Sequence, residues 1–256
     1  MKFIHPLAIV GLITNASILW FLFSAISNAD MSALSAEEQE VLYMVSSIKS
    51  FLAIVVIMQV VALLMLEFRA PGGLILAFIA AFFTMPIGII YLLGCLFTQN
   101  NVRFSIFMQQ KTPTITKSRA KFPSSQTKSL GITAAICIGL GVLAYLNQMV
   151  DFAAVGICSG LAVLYMTKRT ISMPPLVFYD DYLAVVPVVT ANPVILPYKD
   201  IQKATLLPDE SIIFTVTTPN GNKSLHWKLV QVEKQRRREA LELMADVLRA
   251  HHVVLE

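Results

Sequence analysis

Five apolar runs, residues 7–26, 51–66, 74–97, 130–146 and 152–166, fill most of the first two-thirds of the chain and are nearly free of charge. Hydrocarbon offers no water to backbone N–H and C=O groups, so a spanning segment must satisfy them internally. Runs of about 17–25 apolar residues therefore read as membrane-spanning helices. After Met173 the texture changes to short alternating stretches, turn residues and one charged helical segment. The pattern predicts an α+β membrane protein: a small helical transmembrane bundle of about five spans, plus an antiparallel β domain closed by a C-terminal helix. Its expected divisions are three spans in residues 1–97, a basic loop at 98–129, a transmembrane hairpin at 130–170 and a soluble domain at 171–256.

Charged residues make up 14% of the chain, well below the roughly 25% of a soluble globular protein, which agrees with this division. Cys95, Cys137 and Cys158 each fall inside a predicted span, so no disulfide framework is expected and packing is their role. The first run, at about 20 residues, exceeds the 7–15 apolar residues of a secretory signal. Despite Ser27-Asn28-Ala29, it reads as a retained span.

Charge sets the expected orientation. Between the third and fourth runs lie Arg103, Lys111, Lys117, Arg119, Lys121 and Lys128 with no acidic residue among them, and Lys168 and Arg169 follow the fifth run. Lys and Arg near span ends mark the cytoplasmic side. The basic loop and the C-terminal domain are therefore expected inside, with the short 147–151 link and the N-terminus outside. Against an anionic leaflet each basic residue near the surface contributes about 1 kcal/mol, so these six form a candidate membrane-surface patch as well as a topology signal. Ser35 and Glu38 match a capping box and predict a helix through the acidic 28–47 segment. Within the third run Pro86 follows Thr84-Met85 and is a candidate break, giving a re-entrant or kinked pair.

Span interiors argue against a solute pathway, because pathways ordinarily carry ionisable residues inside the membrane. Here the mid-span polar groups are Asn15, Ser17, Gln59 and Thr84, each able to bond a neighbouring helix. Small residues predict close packing of the fourth and fifth runs as an antiparallel hairpin, through Gly156 and Gly160 on one side and Ala135, Gly139 and Gly141 on the other.

Beyond Pro174-Pro175 the expected strands are residues 176–179, 182–189, 194–198, 201–207, 212–216 and 225–229. Asn220-Gly221 predicts a hairpin. Phe214, Val216, Leu225, Trp227 and Leu229 are the expected core, with His226 and Lys228 facing water. Leu241, Met244, Ala245 and Leu248 share one helical face and are expected to cover the sheet. The basic cluster Lys234, Arg236, Arg237 and Arg238 opens that helix, either solvated or touching anionic lipid. Residues 102–108 alternate enough to suggest a further strand.

The segments Val177-Phe178-Tyr179-Asp180-Asp181-Tyr182-Leu183 and Ile195-Leu196-Pro197-Tyr198-Lys199-Asp200-Ile201, behind a transmembrane hairpin, resemble bacterial membrane proteins with a pleckstrin-homology-like (PH-like) domain. The resemblance covers residues 130–252 and implies a non-enzymatic binding or scaffolding module. It transfers no catalytic residue. No Lys or Arg lies between Leu176 and Val189, which departs from the basic pocket of phosphoinositide-binding members.

No H-E-x-x-H, G-x-S-x-G or phosphate-cradling glycine loop occurs, and no catalytic residue, metal site or cofactor is expected. Aromatic residues are not interleaved with the basic run, so nucleic acid is not an expected partner. The expected partners are the lipid bilayer and a protein, either another chain or a second copy. Together these readings predict a non-enzymatic protein of the bacterial inner membrane that recruits or regulates a partner through a cytoplasmic PH-like domain. The alternatives are a small transporter or channel component, and a membrane protein conferring immunity or stress protection.

Overall fold

The third apolar run does not form one helix. In the computed structural model, which describes residues 3–28, 35–108 and 118–256, α3 (Gly73–Phe82) and α4 (Gly88–Met108) lie on either side of Pro86. Proline has no N–H and its ring collides with the preceding turn, so the helix stops there. The interruption closes on itself: the Thr84 N–H donates to Ala81 O at 3.1 Å and the Gly88 N–H to Thr84 O at 2.9 Å. At ten residues, α3 is about 15 Å long, half the roughly 30 Å of a hydrocarbon core.

This break changes the expected count of spans. Among the described residues, two helices are long and apolar enough to cross a membrane: Ile48–Glu67 within α2 (Ala36–Glu67), and α5 (Thr127–Leu146). Among the described residues α1 (Pro6–Asn28) contributes the shorter apolar stretch Pro6–Phe21. α6 (Val150–Ser172), with Asp151, Lys168 and Arg169 near its ends, is not one of the two. The architecture is thus mixed α+β, with two candidate spans where five were expected. The acidic segment after Ser35 is continuous with the second run, because α2 is a single helix of 32 residues.

The chain divides into two compact units, residues 1–102 with 138–162, and residues 103–137 with 163–256. In the first, α1 and α4 approach backbone to backbone. A Cβ on Gly11 would come within 2.6 Å of Tyr91 Cα, and one on Gly94 would overlap the Ala8 backbone. Close approach of this kind maximises dispersion contacts where burial from water drives little association. Within the same unit a Cβ on Gly141 would lie 2.9 Å from Ile157 N, so Gly141 is the residue of α5 that admits α6. Gly139 was expected to do this, but a Cβ there meets nothing within 4 Å. The two glycines are two residues apart, about 200° round a helix, and so face nearly opposite sides. On α6, Gly160 is buried and Gly156 half-buried.

The second unit is built on two four-stranded sheets. One is antiparallel in the order β1-β2-β3-β4, from β1 (Ala120–Phe122), β2 (Leu176–Phe178), β3 (Tyr182–Val185) and β4 (Val194–Pro197). The other runs β7-β6-β5-β8, from β5 (Ile201–Leu206), β6 (Ser211–Thr218), β7 (Gly221–Lys228) and β8 (Val254–Leu255), with β8 parallel to β5. The β6–β7 hairpin turns through Pro219-Asn220, with Gly221 at φ 91°, a conformation open to glycine at little cost. Residues 102–108 are the helical end of α4 and not a strand; Phe104 and Phe107 pack into this unit's core, and β1 supplies the extra strand instead. Helical periodicity wins there because Phe104 and Phe107 are three apart and share one face.

Phe214, Val216, Leu225, Trp227 and Leu229 are all buried in that core, while His226 and Lys228 are exposed. α7 (Arg237–Ala250) closes it with Ala240, Met244, Val247 and Leu248, a face turned slightly from the expected one, so that Leu241 and Ala245 are half-buried. Replacing Phe214, fully buried, by Ala should lower the stability of this unit by about 3–5 kcal/mol. Thermal unfolding of the purified protein, followed by Trp227 fluorescence, measures it.

Candidate functional site

Three of the four polar residues singled out inside the apolar runs meet at one point in the first unit. The Asn15 side-chain amide donates to Gln59 Oε1 at 3.1 Å and to Thr84 Oγ1 at 3.3 Å, and Gln59 Nε2 donates to Thr84 Oγ1 at 2.9 Å. The Thr84 hydroxyl in turn donates to the carbonyls of Ala80 and Ala81, both at 3.3 Å. A hydroxyl has one proton and two lone pairs, and all of that capacity is used. The Tyr91 hydroxyl donates to Gln59 O at 2.6 Å, tying α4 to the same place. Ser17 is exposed and takes no part. The cluster therefore sits on the α3–α4 interruption and satisfies polar groups that a broken helix leaves open. No charged residue belongs to it, and its amides are committed to each other.

The basic patch separates into pieces. Lys111 and Lys117 lie outside the described residues. Arg103 is exposed near the end of α4, its guanidinium 5.5 Å from the Phe104 ring centroid. Arg119 is exposed just ahead of β1 and its backbone N–H bonds Phe178 O at 2.8 Å. Lys121 on β1 and Lys128 in the first turn of α5 are brought together on the wall of one groove of about 350 Å³. Glu233 lines the same groove, with its Oε1 3.7 Å from Lys128 Nζ. The second basic cluster is paired with carboxylates: Arg236 with Glu239 at 2.8 Å, Arg237 with Glu210 at 2.9 Å and Arg238 with Glu242 at 2.8 Å. Arg236 also lies over the Phe122 ring at 4.8 Å. Of these ion pairs Arg237–Glu210 joins separate elements, while the other two are local to the start of α7.

Arg169, read from sequence as a topology charge only, has a second task. It is buried at the end of α6, where Nη2 donates to Ala191 O at 2.8 Å and Asn192 Oδ1 at 2.9 Å, and Nε to Val189 O at 3.4 Å. The residue thereby holds the loop between β3 and β4 to the helix end. Sequence carried one hint, a cation at a helix terminus followed by a proline stop, but the acceptors lie about twenty residues away and are visible only in the fold.

Two further features belong to the module. The Tyr198 hydroxyl donates to Tyr179 O at 3.0 Å and the ring stacks on His251 at 4.3 Å. Burial raises this phenol above its usual pKa, with Arg119 opposing and Asp180 and Asp181 assisting, so it stays a neutral donor. An apolar groove of about 370 Å³ lies between α7 and the β5–β8 edge, lined by Leu206, Leu241, Ala245, Leu248 and Leu255 among others. Among the described residues no three His, Cys, Asp or Glu side chains converge as a metal site. His5 is instead stacked on Phe97 at 4.4 Å, its backbone N–H on Thr98 Oγ1 at 3.0 Å.

Comparison with protein-family models, curated proteins and solved structures finds no match to this chain.

Thr84→Val removes the acceptor shared by both amides and should destabilise the first unit by about 1–2 kcal/mol, within the range of interhelical hydrogen bonds in membrane proteins. A double-mutant cycle of Thr84→Val with Gln59→Leu, read by denaturant unfolding in detergent, should return a favourable coupling of about 0.5–1.5 kcal/mol. Arg169→Met strands the Ala191 and Val189 carbonyls and should cost about 1–3 kcal/mol, seen as earlier proteolysis between β3 and β4.

Proposed function

We propose that this chain is a non-enzymatic integral membrane protein of the bacterial inner membrane, which recruits or regulates a partner protein through its C-terminal module on the cytoplasmic side. Two candidate spans support residence in a bilayer. In the proposed arrangement α1, α2, α5 and α6 lie in the membrane, and α3 with the start of α4 forms a broken, re-entrant pair. The module is proposed as PH-like; what supports that is a pair of four-stranded sheets closed by a helix, with residues 177–183 and 195–201 contributing β2, β3, β4 and the start of β5.

One observation carries the choice between a recruiting protein and a transporter. A transported solute needs polar groups free to exchange partners along its path. Asn15, Gln59 and Thr84 instead bond one another and the adjacent backbone, which makes them a structural staple. With the helices reduced to holding a position, the ordered module is the part left to act.

The protein should resist extraction by alkaline carbonate. Partners copurifying after mild detergent extraction should be lost when residues 174–256 are removed; identical partner sets with and without the module would refute recruitment. Solute flux in proteoliposomes that disappears in Asn15→Leu or Gln59→Leu, with the fold intact, would establish the transporter reading in its place.

A further inference from the structure

The groove holding Lys121 and Lys128 has a built wall. Its β1–α5 segment is stapled to residues 230–233: the Ser125 N–H donates to Gln231 O at 2.8 Å, the Glu233 N–H to Pro123 O at 3.0 Å, and Ser125 Oγ to Val230 O at 2.8 Å. On the opposite side stand Thr170, Ile171 and Pro174 from the end of α6, with Thr127 Oγ1 bonded across to Thr170 Oγ1 at 3.2 Å. The opening of about 350 Å³ falls in the range of small-ligand pockets. Lys128 has 88% of its side chain exposed and is only loosely associated with Glu233. Lys121 is exposed on its strand. The Ser124 hydroxyl, which accepts the Gln126 N–H at 3.2 Å, keeps its own proton for a ligand. Two cations against one carboxylate leave the groove net positive.

Its position along the chain says what kind of anion reaches it. Thr127 is the first residue of a candidate span, so in the proposed arrangement the groove stands at the end of that span. The wall on the α6 side presents Ile171, 64% exposed, and the next turns of α5 present Ile132 and Ile136, 62% and 55% exposed. Cationic and hydroxyl groups thus sit at the foot of a lipid-facing apolar strip. A phosphate ester carrying acyl chains meets both chemistries at once, whereas a soluble phosphate meets only the first.

We propose that this groove binds the phosphate headgroup of an anionic phospholipid, with Lys121 and Lys128 contacting the phosphate and Ile171, Ile132 and Ile136 contacting the glycerol and upper acyl region. The inference rests on residues 127–146 spanning a bilayer, and carbonate extraction tests that separately. Lipid occupancy locates the module against one leaflet and does not replace its partner.

The full-length protein is purified in a zwitterionic detergent and offered phosphatidylglycerol or phosphatidylcholine, with retained lipid counted by native mass spectrometry. Phosphatidylglycerol should be preferred. Each lysine near an anionic surface contributes about 1 kcal/mol, so Lys121→Gln with Lys128→Gln should reduce that preference roughly 30-fold. Glu233→Gln removes the one carboxylate and should increase it, an outcome that misfolding cannot imitate. Lys203→Gln, whose partner is Glu256, should leave it unchanged. Equal retention by the wild type and the lysine double variant, or loss of binding in Glu233→Gln, overturns the proposal. Displacement of the lipid by millimolar inorganic phosphate assigns the groove to a soluble phosphate and overturns the lipid assignment.

Discussion

A broken helix inside an apolar bundle cannot leave its polar groups open, because neither water nor lipid will bond them. In this protein that constraint falls on the stretch around Pro86, and Thr84 answers it. Its hydroxyl turns back to the carbonyls at the end of α3 and accepts amide protons from α1 and α2. Remove that junction and α3 has no defined end, α4 no defined start, and the side chains of Asn15 and Gln59 no partner on the third run. The close passage of α1 past α4, at Gly11 and Gly94, follows from the same economy of space, since any larger side chain would hold the helices apart.

The second unit is held by a larger apolar core. Its core is filled by large side chains from both sheets, from α7 and from the end of α4. The arginines before and within the first turn of α7 serve this unit through ion pairs with Glu210, Glu239 and Glu242. Exposed pairs of this kind contribute little each; their effect is to keep the cluster from offering free charge to a membrane. Lys121 and Lys128, with Glu233 beside them, stand apart from that cluster on the segment that leads into α5.

Much of the module was legible from pattern alone. Period-2 alternation located β6 and β7, and Pro and Asn-Gly signals located the turns beside them, because a half-buried strand writes its two faces directly into its residues. Residues 102–108 misled for a definable reason: Val102, Phe104, Ile106 and Met108 alternate, yet Phe104 and Phe107 fit a helix as well, and seven residues do not separate the two periods. Sequence named Gly139 and Gly141 together, because composition shows that small residues are present on a helix, while the rotation of that helix decides that Gly141 faces the neighbour. The apolar runs were plain, but run length alone did not show that the third is divided at Pro86 into α3 and α4.

Asn15, Gln59 and Thr84 show where the boundary lies. Sequence by itself determined that these three polar residues sit in apolar surroundings, that apolar runs fill most of the first two-thirds of the chain, and that an alternating β segment follows them. Those properties are local, set by the transfer of each side chain and by short-range periodicity. Only the tertiary structure decided that the three side chains meet, that Lys121 and Lys128 share a groove, and that Arg169 holds a loop twenty residues away. These depend on which elements pack together and at what rotation, and no short-range pattern in the chain encodes that.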